Sequence, residues 1–455
     1  MVRVFVGVQL VVFAGVVSGE VSRPELSGGT TTVFVEGRNA FATPLANISR
    51  ATRRLHVVGN SFFNQNWVAA PASTVARDGL GPMFQARSCS ACHFKDGRGR
   101  PPEGDEEMVS MLVRLSIAGT DASGGPLGHP VYGGQLNEHA IPGVKAEGRT
   151  TVCYEEEVGE FGDGGEYRLQ RPVYTFDWAY GEVGDGLMFS PRVAPPVHGL
   201  GLLEAVAEEV VRAGADPGDS DGDGISGRVN EVWDVAVAGK RLGRFGWKAG
   251  QPSLRQQSAR AFNGDIGITS AWFADENHSG VQGQQMVGLP ESEQPEISEK
   301  LLDRVEVYMQ TLAPPARRDV DDPEVVKGAL LFEGLRCVAC HVEEMRTAEE
   351  GVLEELAGQT IRPYSDLLLH DMGEGLADGR AEFMADGREW RTPPLWGIGL
   401  TEVVNGHTRF LHDGRARSLE EAVLWHGGEA EAARDGFRAL GVAERAALVR
   451  FLESL

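Results

Sequence analysis

The chain has five cysteines, and four of them fall into two copies of one pattern, Cys-x-x-Cys-His. The first copy is Cys89-Ser90-Ala91-Cys92-His93, and the second is Cys337-Val338-Ala339-Cys340-His341. In this pattern two thiols become thioethers to a haem, while the adjacent histidine supplies the proximal iron ligand. Random placement of so few cysteines would hardly ever produce the repetition. The sequence therefore predicts two covalently bound c-type haems, with His93 and His341 as iron ligands.

A single Cys-x-x-Cys could instead form a zinc knuckle, a redox dithiol or a disulfide. Each pair here is closed by its own histidine, and no further cysteine or histidine pair in the sequence completes a tetrahedral zinc site. These alternatives rank well below haem attachment. The fifth cysteine, Cys153, is left unpaired and is expected to be a buried or inert thiol rather than a functional one.

Haem attachment of this kind requires an exported chain, and the N-terminus has the features of a signal peptide. Arg3 is followed by an apolar run from residue 4 to residue 17 and by the small residues Ser18 and Gly19. The run is too short to span a bilayer comfortably, so cleavage near Gly19 is favoured over a retained anchor. We expect a periplasmic or secreted protein with no membrane span in the mature chain.

The length and charge of the chain narrow the possible partners. With 455 residues, 42% of them hydrophobic, the chain can bury a large core and form two or three domains. Its formal net charge of -23 argues against nucleic acid or anionic lipid as a partner. The same charge favours a small neutral substrate or a basic redox protein, although an acidic surface can also serve solubility alone.

Apolar residues recur at helical spacing in residues 47–70, 200–213, 254–262 and 297–312, whereas residues 108–117 and 151–178 alternate as strands do. Asp322 is expected to cap a helix that begins at Pro323 and ends at Gly334, directly before the second haem motif. Residues 313–319 have the composition of a linker, which predicts a domain boundary near residue 318.

The resulting fold prediction is a mainly α protein with two cytochrome-c-like haem domains. Residues 1–19 are the signal peptide. Residues 20–318 form the N-terminal domain with the first haem, a β-rich insertion and an acidic loop of calcium-binding type. Residues 319–455 form the C-terminal domain with the second haem.

The acidic loop resembles an EF-hand-type calcium site. Asp219, Asp221 and Asp223, followed by a glycine, match positions 1, 3, 5 and 6 of such a loop, and Ile225 offers its carbonyl oxygen. Position 12 is Asn230 rather than the usual bidentate glutamate, so the pattern is incomplete. The alternative is a solvated acidic turn, but three carboxylates this close repel one another unless a cation neutralises them. We therefore expect Ca²⁺ here.

Several long blocks of the sequence resemble the bacterial di-haem oxidoreductases, a peroxidase-like family sometimes labelled thiol oxidoreductases. The similarity is carried by residues 88–102, 219–230, 244–249, 366–373 and 391–429. More distantly, the C-terminal half is similar to the di-haem cytochrome c peroxidases and to the di-haem enzyme that matures methylamine dehydrogenase. The label of thiol oxidoreductase receives no support, because the paired cysteines are consumed by haem.

The resemblance also implies a distal ligand for the second haem. In the relatives a His-Asp-Gly turn is followed, at one fixed distance, by Met in the peroxidases and by Tyr in the maturation enzyme. The turn here begins at His412, and the equivalent position is His426. Ligation by two histidines would lower the potential of this haem relative to His/Met ligation and make it a better electron donor. Met372 is the alternative ligand, and His412 is expected to orient propionates or the path between the haems.

No comparably clear sixth ligand follows the first motif, and an open site is what peroxide requires. The resemblance places a distal glutamine and glutamate in residues 132–148, which makes Gln135 and Glu147 the candidate catalytic residues. Their spacing differs from the peroxidase pattern, and both are equally well explained as ordinary loop residues. His129, His139 and His198 are alternative ligands if this haem is closed.

Together these features predict a di-haem peroxidase-like enzyme whose first haem reacts with peroxide or oxygen. The second haem would relay electrons from a small donor protein or the quinol pool. One alternative is a non-enzymatic carrier with two six-coordinate irons, and another is an oxygenase or protein-modifying enzyme that uses the same irons. A carrier needs only about 100 residues per haem, so the length, the β-rich insertion and the acidic loop favour an enzyme.

Overall fold

The computed structural model describes residues 23–104, 106–289, 294–351 and 353–455. The predicted signal peptide, residues 1–19, lies outside these ranges. Within them, no helix has the length and hydropathy needed to cross a membrane.

The predicted helix start before the second motif is confirmed: Asp322 accepts a hydrogen bond from the amide of Glu324, and Pro323 is the first helical residue. The predicted helix over residues 200–213 is broken at Val206, which turns out of the helix to form a β-bridge with Thr347. The α-helices, in chain order, are α1 (Arg50–Asn64), α2 (Cys89–Cys92), α3 (Leu200–Ala205), α4 (Glu208–Ala213), α5 (Leu254–Ala261), α6 (Gly280–Gly283), α7 (Glu299–Gln310), α8 (Pro323–Gly334), α9 (Thr401–Asn405), α10 (Leu419–Leu424), α11 (Glu431–Ala439) and α12 (Val442–Ser454).

The strands form small antiparallel sheets. They are β1 (Met83–Phe84), β2 (Met111–Thr120), β3 (Pro126–Leu127), β4 (Gln135–Leu136), β5 (His139–Ala140), β6 (Gly148–Glu160), β7 (Glu166–Trp178), β8 (Met188–Val193), β9 (Glu231–Asp234), β10 (Gly239–Leu242), β11 (Met345–Arg346), β12 (Thr360–Ile361), β13 (Leu369–Asp371) and β14 (Glu389–Arg391). Strand β2 pairs with β3, β4 and β8, while β6 and β7 form a long two-stranded ribbon. The remaining strands pair as β1 with β5, β9 with β10, β11 with β12 and β13 with β14.

The prediction of a mainly α fold is wrong. In the structure as described, only 30% is helical and 20% is strand, with several separate sheets. The reason lies in the composition: 59 glycines and 23 prolines interrupt helical segments, so that most helices stay short and much of the chain is turn. The described chain is a mixed α and β structure in which strands extend well beyond one insertion.

Two helix pairs have matching contacts. Helix α1 packs on α7, and a Cβ atom at Gly59 would lie 1.9 Å from the carbonyl oxygen of Arg304. Helix α8 packs on α12, and a Cβ atom at Gly328 would lie 2.0 Å from the carbonyl oxygen of Ala447. In each pair the glycine therefore lets two helix backbones approach closely.

The aromatic residues of the two pairs also correspond. Phe63 follows Gly59 by one turn and lies 5.2 Å, centroid to centroid, from Tyr308. Phe332 follows Gly328 by one turn and lies 5.1 Å from Phe451. The chain thus repeats one helix-packing arrangement, once near each Cys-x-x-Cys-His motif.

The β6–β7 ribbon joins the two halves of the chain. Its tip reaches α11, where the amide of Gly162 donates to the carbonyl oxygen of Arg438 at 2.8 Å. Beside this contact, Asp163 forms an ion pair of 3.0 Å with Arg445 of α12. A segment from the first half therefore ends on the last two helices.

The linker at residues 313–319 contacts both an early segment of the described chain and the last helix. The amide of Ala313 donates to the carbonyl oxygen of Thr43, and the amide of Arg318 donates to that of Ser454. The residue 318 boundary separates the two helix pairs in sequence, but many contacts cross it. The division into two domains stays a prediction.

Candidate functional site

The first Cys-x-x-Cys-His motif forms α2, and a carbonyl group orients its histidine. Nδ1 of His93 donates to the carbonyl oxygen of Pro195 at 2.7 Å. This bond leaves Nε2 as the nitrogen that can bind iron. Cys89 and Cys92 are both free thiols, so they are available for thioether bonds.

A cavity of about 410 Å³ lies beside this motif, within the size range of cofactor and small-molecule sites. Its wall includes Cys89, Cys92 and His93, with Phe63 and Met309 among the apolar residues. Several arginines complete it, namely Arg98, Arg114, Arg192, Arg260, Arg380 and Arg391. Two thiols, one free imidazole nitrogen and a cationic wall match the needs of a covalently bound haem with two propionates.

Arg192 supports this fit through an unsatisfied atom. The residue is only 7% exposed, and it pairs with Glu382 at 2.8 Å through Nη1. Its Nη2 forms a long ion pair of 3.8 Å with Asp378 but has no partner at hydrogen-bond distance. A buried guanidinium nitrogen without a partner costs free energy, and a propionate carboxylate would supply the missing acceptor.

The electrostatics of the two thiols argue against a redox dithiol. Burial raises the pKa of Cys89 to about 12, and the negative charge of Asp265 adds to the rise. The pKa of Cys92 is raised for the same two reasons, burial first. Reactive dithiols need a lowered pKa, so this environment favours cysteines that serve as attachment points.

The second motif repeats the orientation of the first. Nδ1 of His341 donates to the carbonyl oxygen of Tyr364 at 2.9 Å, again leaving Nε2 free. The ring of Phe332 lies 6.0 Å from that of His341, as the ring of Phe63 lies 6.2 Å from that of His93. Both motifs therefore present an imidazole nitrogen beside a helix-pair aromatic residue.

His426 lies near the second motif. Nδ1 of His426 donates to the carbonyl oxygen of Ala422 at 2.7 Å, so its Nε2 is also free for a metal. Burial lowers the pKa of His341 to about 4, and the nearby His426 contributes to the shift. Met372 belongs to a neighbouring segment, since its carbonyl oxygen lies beside Gly427. The choice between His426 and Met372 as distal ligand stays a prediction.

His412 is buried at the contact between the two halves. Its ring stacks on that of Trp390 at 3.8 Å with an interplanar angle of 14°, and burial lowers its pKa to about 4. Its carbonyl oxygen accepts a hydrogen bond from the amide of Val193. Arg192, which lines the cavity, lies over the Trp390 ring. This stack connects the cavity wall to His412.

Gln135 and Glu147 lie outside the set of described residues that line the cavity. Gln135 donates through Nε2 to the carbonyl oxygen of Gly264 at 3.0 Å. Glu147 accepts hydrogen bonds from the amide of Asn137 and from Nε2 of Gln282. Burial raises the pKa of Glu147 to about 7. Glu147 is committed to internal hydrogen bonds, whereas Oε1 of Gln135 is buried without a partner. The catalytic roles of both residues stay predictions.

The three alternative histidines are in different environments. His129 is held by the carbonyl oxygen of Val183, and His139 lies in β5 with its ring stacked on Phe84. Only His198 of the three lines the cavity, where it stacks on Phe41 at 4.1 Å.

The three aspartates of the predicted calcium loop lie close together. One carboxylate oxygen from each of Asp219, Asp221 and Asp223 lies within 4.8 Å of the others. The amide of Ile225 donates to Asp223 at 2.8 Å. The carboxylates are thus close enough for one cation.

The loop departs from the EF-hand at its end. Asn230 donates to the carbonyl oxygens of Lys248 and Glu382, so its side chain points away from a position 12 role. Asp223 also forms an ion pair with Arg336, the residue before the second motif. A cation here would therefore have fewer protein ligands than an EF-hand provides.

The sequence interpretation missed Asp265, Arg114 and Arg260, which line the cavity together. Asp265 belongs to a π-helix over Phe262–Ile266. No motif marks these residues, and a π-helix has no pattern of its own by which the sequence could have shown it.

A second missed group surrounds His370. Its Nε2 lies 2.8 Å from Asp366, its Nδ1 lies 2.6 Å from Glu429, and the thiol of Cys340 is 3.6 Å away. Burial opposes a charged imidazole, but these acidic neighbours outweigh it and raise the pKa of His370. The block of residues 366–373 singled out in the sequence was the available signal.

Comparison with known proteins gives one family match. Residues 22–455 match the family described as "Di-haem oxidoreductase, putative peroxidase". No curated protein matches the chain. Among solved structures, hydrazine synthase from Kuenenia stuttgartiensis, pressurised with 20 bar xenon, is similar with 14% identity and a TM-score of 0.32, over 100% of each chain.

Proposed function

We propose that this chain, which belongs to the di-haem oxidoreductase family, is an exported peroxidase-like enzyme with two covalently bound c-type haems. The first haem site reacts with hydrogen peroxide or oxygen, and the second relays electrons to it. The family match and the two oriented Cys-x-x-Cys-His motifs support this proposal.

The difference between the two motifs carries the proposal. The second motif has a further imidazole, that of His426, close to its own His341. At the first motif, His93 and His198 are the described histidines that line the cavity. Nε2 of His198 is engaged by the carbonyl oxygen of Trp396 at 3.1 Å, while its Nδ1 is buried without a hydrogen-bond partner. No second histidine is assigned to the first iron, which makes this site the candidate for an open coordination position, and ligation by Nδ1 of His198 is the alternative.

The residues that would hold the haems are the paired cysteines and the two oriented histidines. When bound, the haems supply iron that exchanges single electrons and activates the O–O bond. The residues that attach them are Cys89, Cys92 and His93 at the first site and Cys337, Cys340 and His341 at the second.

We assign His426 as the distal ligand of the second site and His412 as a positioning residue. Both ring nitrogens assigned to iron at this site, in His341 and His426, are left free by Nδ1 hydrogen bonds to carbonyl oxygens. His412 is fixed by its stack on Trp390, which suits a residue that orients a propionate or the path between the sites. Met372 remains the alternative ligand.

Ca²⁺ is proposed as a second cofactor at Asp219, Asp221 and Asp223, with the carbonyl oxygen of Ile225. The support is the close approach of three carboxylates, which repel one another without a cation. Its role would be structural, because Arg336 ties this loop to the second motif.

Export and the electron donor are also proposed. Cleavage after residue 19 would deliver the chain to the periplasm or the medium, where c-type attachment takes place. The net charge of -23 favours a small basic donor protein, with the quinol pool as the other possible source.

An optical and EPR spectrum of the oxidised and half-reduced holoprotein, with and without peroxide, tests the proposal. A peroxidase-like enzyme shows a high-spin signal that changes on addition of peroxide, beside a low-spin signal from the second site. Two low-spin signals that ignore peroxide and cyanide would identify an electron carrier instead.

A further inference from the structure

Asp265 reaches the first cavity from an unusual backbone. It belongs to the π-helix Phe262–Ile266, which continues directly from α5. π-helices are rare in proteins and appear mostly as single turns within α-helices. Those that do occur are frequently found at functional sites. The side chain of Asp265 lines the cavity together with those of Cys89, Cys92 and His93.

Asp265 shares its cavity with all three residues of the first motif. Arg114, which lies 3.8 Å from its carboxylate, lines the same cavity. The carboxylate is therefore placed beside the space that a haem attached to this motif would enter.

The Asp265 carboxylate keeps one oxygen that is not hydrogen-bonded. Its Oδ1 is buried and has no hydrogen-bond partner. The nearest cation, Nη2 of Arg114, is 3.8 Å away, beyond hydrogen-bond length. Burial lowers the pKa of Arg260, with the charge of Arg114 adding to this effect and that of Asp265 opposing it. One carboxylate with a free oxygen thus stands beside two guanidinium groups in the cavity wall.

The backbone at Asp265 is held firmly. Its carbonyl oxygen accepts hydrogen bonds from the amides of Gln85 and Ala86, at 2.8 and 3.0 Å. The preceding residue, Gly264, is held by Nε2 of Gln135, and Gln135 is paired across the sheet with Arg114. A fixed backbone with a free side-chain oxygen is the arrangement expected of a preorganised catalytic group.

We propose that Asp265 is the proton-transferring residue of the first cavity and that Arg114 stabilises negative charge beside it. The inference rests on the proposed function and deepens it. Gln135 then acts as a positioning residue that fixes the π-helix, and Glu147 acts at most through the same network.

The chemistry balances with groups already named. With haem bound, Asp265 would accept a proton from one oxygen of hydrogen peroxide and return it to the other. The O–O bond would break, and the protonated oxygen would leave as water while Arg114 donates hydrogen bonds to it. Two electrons from the donor and two further protons would convert the remaining oxygen to a second water.

A small ligand tests the proton transfer without turnover. Hydrogen cyanide must lose its proton to bind ferric haem, whereas nitric oxide has no proton to lose. In the holoprotein, Asp265→Asn should slow cyanide binding by about 10²-fold or more and leave nitric oxide binding unchanged. Asp265→Glu should restore part of the cyanide rate, and Arg114→Leu should raise the rate of cyanide release.

The matched control is Asp303→Asn, which makes the same change of charge on α7, where the side chain is 44% exposed and pairs with Arg255. It should leave both ligand rates and the melting temperature as in the wild type. Equal effects of Asp265→Asn on cyanide and nitric oxide, no effect on either, or a wild type that binds no cyanide would each overturn the assignment.

The role of Asp265 and the peroxidase function can fail independently of each other. If cyanide binding depends on Asp265 but peroxide does not react with the wild type, the proton-transfer role stands and the peroxidase function fails. If peroxide reacts equally fast in Asp265→Asn and in the wild type, the peroxidase function stands and the role of Asp265 fails.

Discussion

Gly59 and Gly328 occupy equivalent positions in the two halves of the chain, each facing a backbone carbonyl of the helix packed against it. The oxygen atoms belong to Arg304 and Ala447, and each would lie within about 2 Å of a Cβ atom at the glycine. Repulsion at this distance cannot be relieved by a side-chain rotation, because the opposing atom is backbone. Both helix pairs therefore depend on a residue without a side chain.

Replacing Gly328 by Ala should destabilise the second half, because α8 and α12 must separate to admit the methyl group. Overpacking of this kind costs about 1–3 kcal/mol. Gly334→Ala is the matched control at the end of the same helix, since no atom lies within 4 Å of its Cβ position. Thermal unfolding of the holoprotein measures the difference, and equal melting temperatures for the two variants would contradict the packing argument.

Replacing His426 by Met should raise the potential of the second haem by on the order of 100 mV, because a thioether ligand stabilises ferrous iron relative to imidazole. The wild type should show a low-spin bis-imidazole EPR signal and no methionine–iron charge-transfer band. A redox titration of both proteins provides the comparison. A methionine band in the wild type would instead assign the ligand to Met372, and Met372→Leu would remove that band.

Removal of Ca²⁺ should lower the melting temperature. An ion bound only by the folded state contributes about 2.7 kcal/mol at a hundredfold excess over Kd. EDTA should therefore destabilise the wild type, and added Ca²⁺ should restore it, while Asp221→Ala should make the protein insensitive to both. If the wild type melts identically with EDTA and with Ca²⁺, the three aspartates form a solvated turn.

The pH dependence of stability should contain a contribution from Glu147. Burial raises its pKa from 4.5 to about 7 in the folded state, so between these values the folded protein binds more protons than the unfolded one. The free energy of unfolding should therefore fall as the pH rises from 4.5 through 7, by at most about 3 kcal/mol from this group. Urea unfolding at several pH values measures this free energy, which should depend less on pH in Glu147→Gln than in the wild type. An equal pH dependence in the two proteins would contradict a raised pKa of Glu147.

Local sequence signals predicted the parts of the fold that depend on local chemistry. Asp322 and Pro323 specify a helix start through a side-chain cap and a fixed φ angle, and both effects act over a few residues. The break at Val206 arises from a bridge to Thr347, a contact across more than a hundred residues that no local pattern contains. The same reason explains why the overall balance of helix and strand was misjudged.

The candidate site likewise contains residues that local sequence signals reveal and residues that they do not. The paired motifs were visible because the proposed attachment chemistry requires a fixed spacing of Cys89, Cys92 and His93. Asp265 was not visible, since its relation to that motif depends on a π-helix and on the pairing of β2 with β4. Gln135 was selected by resemblance and lies next to the cavity wall, where it holds the carbonyl oxygen of Gly264.

The docking of the β6–β7 ribbon on the last two helices constrains the order of folding. The pair of Asp163 with Arg445 joins residues 282 positions apart, and contacts of such separation form late and slowly. The ribbon cannot reach its final place until nearly the whole chain has been synthesised. Both Cys-x-x-Cys-His segments are synthesised before Arg445, so the proposed haem attachment would take place on a chain that has not yet closed.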